Sequence, residues 1–456
     1  MRGQDIVDIG YTQGPAIGLG LQLFSDYGNK KKTLTVLKRI LRKPEKFVND
    51  SHPIVKSIAT ALVPQDNPMI TLLEEERPFK IYGIEDIEKG AIDQLSNASR
   101  LPITVQGALM PDAHQGYGLP IGGVLATDNA VIPYGVGVDI GCRMCLTIYG
   151  EDETYFKRNQ SALKKSLIEH TAFGTGIGPK VAWDDEVLEN PLFNEIQLVK
   201  GLKDTAANQI GSSGGGNHFV EWGIADFFDP CLGLEGRYLA ILTHSGSRGL
   251  GANIANHYTK IAKEKCKLPK GIEHLAYLDL NSEEGQEYWL AMNLAGDYAS
   301  ACHDHIHRKL AKSLGLTEMY RIENHHNFAW KEQLNGKDVI VHRKGATPAG
   351  KGVLGIIPAS MLEAGYIVMG KGDELSINSA SHGAGRVMSR TQGNNTFTMG
   401  GIKKQLKSNG IELIGGGPDE APGVYKNIEK VMSNQVSLVD VLGRFYPKIV
   451  RMADKE

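Results

Sequence analysis

The chain has 456 residues, with 50 Lys plus Arg against 52 Asp plus Glu and a formal net charge of −2. That balance excludes a histone-like or polybasic coat while leaving room for a local basic groove. With 41% hydrophobic and 22% charged residues, the composition excludes disordered, collagenous and fibrous chains. Glycine is enriched, at 54 residues, and clusters without a period, a pattern of backbone-lined loops. The start, Met1-Arg-Gly-Gln-Asp5, lacks the apolar core of a signal peptide, and no run approaches the ~20 apolar residues that span a bilayer. A cytoplasmic location without a membrane partner is therefore expected. The five cysteines, at 142, 145, 231, 266 and 302, are odd in number and sparse for a disulfide scaffold, so free thiols or a metal site are expected.

In chain order, residues 30 to 46 come first, carrying Lys30, Lys31, Lys32, Lys38, Arg39, Arg42, Lys43 and Lys46. Leu34, Leu37, Ile40 and Leu41 recur at helical spacing until Pro44, which predicts a basic amphipathic helix. Such a helix can lie on a phosphate backbone, although a charge run ordinarily forms a solvated face. From Leu101 to Tyr149, β-branched runs broken by glycine predict strands and tight turns. Residues 154–171 and 283–314 have helical periodicity, whereas 237–244, 338–343, 352–357 and 365–370 read as short buried strands. The mixture is α+β. With no internal repeat and no low-complexity linker, a single intertwined domain spanning 1–456 is expected.

Several motifs carry less than they suggest. Gly350-Lys-Gly-Val-Leu-Gly355 matches G-x-G-x-x-G but runs into Ile356-Ile-Pro-Ala instead of a helix, so no dinucleotide site is expected. Two near misses to a P-loop end in Lys351-Gly352 and Lys371-Gly372, where glycine replaces the magnesium-holding Ser or Thr. Cys142 and Cys145 form C-x-x-C but enter the apolar run Cys145-Leu-Thr-Ile-Tyr, where opposite faces are expected. His303 and His307 stand one helical turn apart with no third ligand nearby in sequence, so a solvated helix face is expected there.

The stronger signals are polar residues set in glycine or at apolar strand ends, where burial is unfavourable unless they bind something. They are Asp139-Ile-Gly-Cys142, Gly214-Gly-Gly-Asn217-His218-Phe-Val-Glu221, Thr243-His244-Ser-Gly-Ser-Arg248 and Asn324-His325-His326-Asn327. A carboxylate, a thiolate and imidazoles from separate loops form the donor set of a transition-metal centre. Asp139 and Cys142, three apart across a glycine turn, can converge on one site, and a thiolate can bridge two cations. A further motif, Ser381-His382-Gly-Ala-Gly-Arg386-Val-Met-Ser-Arg390, sets a histidine on a glycine turn before arginines able to clamp phosphates. Neutral imidazole can attack phosphorus, and the phosphoramidate formed is a good donor once its nitrogen is protonated.

Met110-Pro-Asp-Ala-His-Gln-Gly-Tyr-Gly, Val136-Gly-Val-Asp-Ile-Gly-Cys142, Gly216-Asn-His-Phe, His244-Ser-Gly-Ser-Arg-Gly, His326-Asn327, His342-Arg-Lys-Gly-Ala-Thr and His382-Gly-Ala-Gly-Arg together resemble the RtcB family of RNA ligases. The resemblance covers roughly residues 90–430 and leaves 1–85 as a divergent N-terminal extension. It implies an α+β domain with mixed and antiparallel sheets and flanking helices. It also implies two manganese ions held by Asp139, Cys142, His218, His244 and His326, with His382 guanylylated by GTP. GMP then passes to an RNA 3′-phosphate, a 2′,3′-cyclic phosphate having first been opened, and a 5′-hydroxyl attacks and expels GMP. Nucleotide contacts are expected from Asn217, Glu221, Asn327, Ser360, Ala384, Tyr425 and Lys455, and RNA contacts from Arg248, Arg386 and Arg390. The expected partner is RNA with such ends; an activating protein is allowed for, and a monomer is expected.

This sequence departs from the family pattern at Ser360-Met-Leu-Glu-Ala-Gly-Tyr366, where the family has Ser-Met-Gly-Thr-Ala-Ser-Tyr, and at its C-terminus, so GTP over ATP is less firmly implied. Two rival functions keep part of this chemistry: a manganese phosphohydrolase acting on cyclic phosphates, and an RNA-end binding protein without turnover.

Overall fold

The computed structural model describes residues 1–454 apart from 13, 64–67, 181–183 and 229. Lys455 thus lies outside the described residues. The chain divides into two compact units, 1–68 and 69–456. The expected extension ran to residue 85, but the strand Phe79–Ile81 pairs in parallel with Gly107–Leu109 and so belongs to the larger unit.

The small unit consists of helices Gly3–Val7, Pro15–Tyr27, Lys30–Arg42 and Pro53–Leu62. Asn29 caps the third by accepting the Lys32 amide at 3.0 Å, satisfying one of the unpaired N–H groups of a helix start. That helix buries Thr33, Leu37 and Ile40 in a core with Ile6, Leu23, Val55 and Ile58. It stops at Arg42, because Pro44 cannot continue it and opens a 3-10 turn.

The large unit is α+β. One sheet runs Phe79–Ile81, Thr104–His114, Ile121–Thr127, Lys337–Lys344, Asn327–Leu334. The other runs Leu354–Ile357, Gly365–Gly370, Val439–Asp454, Phe219–Phe227, Gly236–Ser245, Arg143–Asp152, Glu318–His325, with Glu412–Gly416 pairing to Val439–Asp454. Register does the positioning: Phe219 lies opposite His244, Arg143 opposite Ser245, and Arg143 opposite His325. The residues that precede or end these four neighbouring strands, Cys142, His218, His244 and His326, therefore gather at one sheet end, although they are spread over 185 positions of sequence.

Strand alternation assigns the two faces of this sheet to different neighbours. On one face Met144, Leu146, Ile148 and Leu242 form a cluster with Ile356 and Phe445. On the other, Tyr149, Leu239 and Ile241 pack with Leu163 and Leu167 of the helix Glu153–His170 and with Ile306 and Leu310 of the helix Glu283–Leu314. The second of these helices spans 283–314 as its periodicity predicts. The solvated face expected around His303 and His307 is not found: His303 and His307 are buried against the sheet, where they meet Thr243, and Cys302 and His305 are buried on the opposite side of the helix, His305 against Asp185 at 2.8 Å. Gly350–Gly355 leads into the strand Leu354–Ile357, in keeping with the absence of a dinucleotide-binding turn.

Candidate metal centre and active site

The centre begins with a turn. Asp139, Gly141 and Cys142 follow the short helix Pro133–Val136, and Gly141 takes φ +69°, which lets the chain reverse so that Asp139 and Cys142 face one point. Cys142 Sγ lies 3.4 Å from His218 Nε2 and 3.2 Å from His244 Nε2, and Asp139 Oδ2 lies 3.0 Å from His218 Nε2. His244 Nε2 is 3.2 Å from His326 Nε2. His218 Nδ1 meets the Ser213 carbonyl at 2.7 Å and His244 Nδ1 meets that of Asn217 at 3.1 Å. A carbonyl only accepts, so each Nδ1 carries the proton and each Nε2 presents a lone pair to the thiol. The ligand atoms of Cys142, His218 and His244 all lie within 4.8 Å of one another. His326 Nδ1 is buried with no hydrogen-bond partner.

This set fits a divalent transition metal: a thiol, imidazole lone pairs and a carboxylate converge, and the far nitrogens of His218 and His244 are already used to orient their rings. Burial, followed by the Asp139 charge, pushes the Cys142 thiol well above its ordinary value. Burial likewise holds His244 and His326 well below theirs, so both are neutral ligands. A bound cation would stabilise the thiolate in such a site. Gly246 is required by close approach: a Cβ there would fall 2.0 Å from Asp139 Oδ1.

His382 follows the strand Ser379–Ser381, and its ring centroid is 5.0 Å from that of His326. Its Nδ1 is 2.6 Å from Asp112 Oδ2, which also accepts the backbone amides of His382 and Gly383 at 3.2 and 3.3 Å. Asp112 is fully buried. Burial opposes its charge, yet His382 and Lys426 together hold it below the usual carboxylate range. An ionised Asp112 fixes the proton of His382 on Nδ1 and leaves Nε2 as the nucleophilic nitrogen. Asp112, in the Met110-Pro-Asp motif, is not among the site residues expected from sequence; its signal there is a carboxylate inside an otherwise apolar buried strand.

A cavity of about 330 Å³ is bordered by His244, His326 and His382. Asn217, Glu221, Ser360, Ala384 and Tyr425 also line it, as do Arg386 and Arg390. Burial alone pushes the Glu221 carboxyl up to about 8. Ser360 Oγ donates to Glu363 Oε2 at 2.9 Å, so the residue that departs from the family pattern engages the neighbouring serine directly. Arg386 donates to the Asp419 carbonyl at 2.7 Å and stacks over Tyr425 at 5.4 Å. Arg390 pairs with Asp419 at 2.7 Å and with the buried Glu420.

Two expected contacts are not among the cavity-lining residues. Arg248 donates to Ser212 Oγ at 3.2 Å and to the Gly174 carbonyl at 3.0 Å, which binds its guanidinium into the scaffold of the histidine loop. Gly214, at φ +97°, makes room for it, since a Cβ there would lie 1.9 Å from Arg248 Nη1. Asn327 donates to the Asp139 carbonyl at 3.3 Å and accepts the Gly345 amide at 2.9 Å, bracing the metal turn.

The second half of the C-x-x-C pair joins a different cluster, with Cys145, His303 and His307 ligand atoms also within 4.8 Å of one another. Here every imidazole nitrogen is taken. His303 Nε2 meets the Ser245 carbonyl at 3.1 Å and must donate; its Nδ1 therefore accepts from Thr243 Oγ1 at 2.5 Å. Thr243 in turn accepts from His307 Nε2 at 2.7 Å, and His307 Nδ1 accepts from Thr147 at 2.7 Å. Burial pushes His303 down to about 4, consistent with this neutral relay.

A half-buried carboxylate and a buried thiol and imidazole cluster beside an oriented histidine define the class: an α+β protein whose cavity carries side chains able to hold a metal. The family model described as "tRNA-splicing ligase RtcB" matches residues 94–201 and 184–452. The chain is 33% identical over 412 residues to "RNA-splicing ligase RtcB" of Escherichia coli (strain K12), covering 81% of this chain and 96% of that protein. It is 30% identical over 455 residues to "tRNA-splicing ligase RtcB" of Nanoarchaeum equitans, covering 82% and 94%. It is equally 30% identical over 454 residues to that of Thermococcus kodakarensis, covering 81% and 93%. The chain belongs to the RtcB family of RNA ligases.

Proposed function

We propose that this chain is a GTP- and manganese-dependent ligase that joins RNA 2′,3′-cyclic phosphate or 3′-phosphate ends to 5′-hydroxyl ends. The observation that carries the reading is His382, oriented through Nδ1 by the buried Asp112 and set beside His326 at the cavity edge. Its free Nε2 attacks the α-phosphorus of GTP, pyrophosphate leaves, and a phosphoramidate forms, with Asp112 holding the proton on Nδ1 as the ring becomes cationic. GMP passes from His382 to the RNA 3′-phosphate, giving RNA-(3′)pp(5′)G. The 5′-hydroxyl oxygen of the second RNA then attacks the 3′-phosphorus, a new ester bond forms, and GMP leaves. Two manganese ions, held by Asp139, Cys142, His218, His244 and His326, would supply charge neutralisation to the phosphates and Lewis acidity for the attacking oxygens.

Asn217 sits at the cavity wall beside the centre, as a phosphate donor should, and Arg386 and Arg390 supply positive charge there. Glu221, Ser360, Ala384 and Tyr425 are the base and ribose contacts in this reading; bound guanine favours loss of the Glu221 proton, since only the carboxylate can accept from both donors of the guanine edge. A reducing, cytoplasmic setting suits a working thiol, and the four cysteines described by the structure, 142, 145, 266 and 302, are all free.

The test is intact mass after incubation with GTP and manganese. A GMP adduct that is acid-labile, base-stable and lost in His382→Ala is expected; its absence from the native protein would favour a phosphohydrolase or a passive RNA-end binder. With the upstream fragment's terminal phosphate labelled, the label should appear in the junction, and RNA bearing 3′-hydroxyl and 5′-phosphate ends should not be joined.

A further inference from the structure

We propose that the exposed face of the helix Lys30–Arg42 and the turn after it form a second RNA-binding surface, carried by the unit 1–68 that precedes the family match at residue 94. The inference goes beyond the ligase reading and depends on RNA as the family's substrate, not on any nucleotidyl chemistry.

Charge is partitioned unevenly in this chain. Residues 1–68 hold ten Lys and Arg against six Asp and Glu, a net +4, which leaves −6 for the remainder of a chain whose total is −2. Eight of those ten bases fall between Lys30 and Lys46, all eight are exposed, and Glu45 is the one acid among them. Lys31, Lys38 and Arg42 stand at i, i+7 and i+11, hence on one stripe of about 16 Å, with the exposed Thr35 between them. Lys30 is paired with Asp5 at 2.7 Å, and Lys32 and Arg39 lie over the Tyr27 and Phe47 rings at 4.4 and 5.8 Å. Among the described residues no ion pair neutralises Lys31, Lys38, Arg42 or Lys43.

A row of uncompensated cations on a rigid helix matches a phosphate backbone, which binds by releasing its counterions. An anionic membrane is the weaker match. A surface helix that enters a bilayer needs its apolar side free, and here Thr33, Leu37 and Ile40 are already buried in the unit's own core.

The test uses the full chain with Lys31→Gln, Lys38→Gln, Arg42→Gln and Lys43→Gln combined, and a fluorescent single-stranded RNA with hydroxyls at both ends, which cannot be ligated. Binding should weaken about 10- to 100-fold at 0.1 M salt, and the slope of log K against log salt should fall by roughly 1.5–3. The four corresponding arginine or lysine exchanges, which keep the charge, should bind as the native chain does. GMP-adduct formation, which needs no RNA, should be unchanged and reports that the larger unit is folded, while native helical circular dichroism reports the same for the unit 1–68. Native affinity and slope in the glutamine variant would overturn the proposal; so would loss of binding to phosphatidylserine vesicles with RNA binding intact. Absence of an adduct in the native chain would count against the ligase reading and leave the RNA measurement standing.

Discussion

Thr243 and His244 are sequence neighbours on one strand, and they serve two His/Cys clusters on opposite faces of the same sheet. His244 joins Cys142 and His218, whose Nε2 and Sγ atoms meet with no proton between the imidazoles to satisfy them. Thr243 joins Cys145, His303 and His307, where hydroxyls and a carbonyl occupy every imidazole nitrogen. Ligand type and spacing are the same in both. What separates a metal site from a packed core is whether carbonyls take the far nitrogens and leave the near lone pairs converging, or a hydrogen-bond relay consumes all of them.

The comparison breaks most visibly through the two cysteines. Cys142→Ala should lose bound manganese and slow adduct formation by on the order of 10³-fold, whereas Cys145→Ala should keep the metal and nearly all the activity. Elemental analysis with a single-turnover assay checks this, and equal loss in both variants would mean a shared C-x-x-C site. Zinc, which binds thiolate sites more tightly than manganese, should displace it and inhibit.

Asp112→Asn comes next. Its amide oxygen can still accept from His382 Nδ1, but the negative charge that stabilises the ring as it becomes cationic is gone, so adduct formation should drop by roughly 10²- to 10⁴-fold while the protein stays folded. A native rate in this variant would detach Asp112 from the chemistry.

On the closed side, Thr243→Val preserves shape but orphans one nitrogen of His303 and one of His307. Stability should fall by roughly 2–6 kcal/mol in urea unfolding, with metal content unchanged. Loss of metal without loss of stability would make the relay part of the open centre.

The smallest effect is expected at Glu221. Its folded carboxyl keeps the proton to about 8 against an ordinary 4.5, so the stability it contributes is fully present below the unfolded value and lost as pH rises toward 8. Glu221→Gln should therefore gain stability over the native chain as pH goes from 5 to 8, by roughly 2–4 kcal/mol at most since water reaches the cavity. The same exchange should raise the KM for GTP. Thermal melts of metal-free protein at both pH values test the sign; a constant difference would refute it.

Cys142, His218, His244 and His326 were legible because each stands in glycine or at the end of an apolar run, where nothing local can satisfy a polar side chain. Asp112 was not, since its partner His382 is 270 residues away. The protein partners of Arg248 were not legible for a related reason: an arginine beside a conspicuous histidine motif suggests phosphate, and only the fold shows that the gap left by Gly214 seats its guanidinium against Ser212 and Gly174.

The sequence by itself determined the α+β alternation, the long helix 283–314, the basic helix that ends before Pro44, and the candidate metal-ligating and nucleophilic side chains, because periodicity, proline and the chemistry of isolated polar residues act locally. Only the tertiary structure decided which of them meet. The strand order Phe219–Phe227, Gly236–Ser245, Arg143–Asp152, Glu318–His325 does not follow the chain, and its register, set by which faces can be buried, brings four distant residues to one end of the sheet while turning Cys145 and Thr243 to the other face, where His303 and His307 of the helix 283–314 close on them.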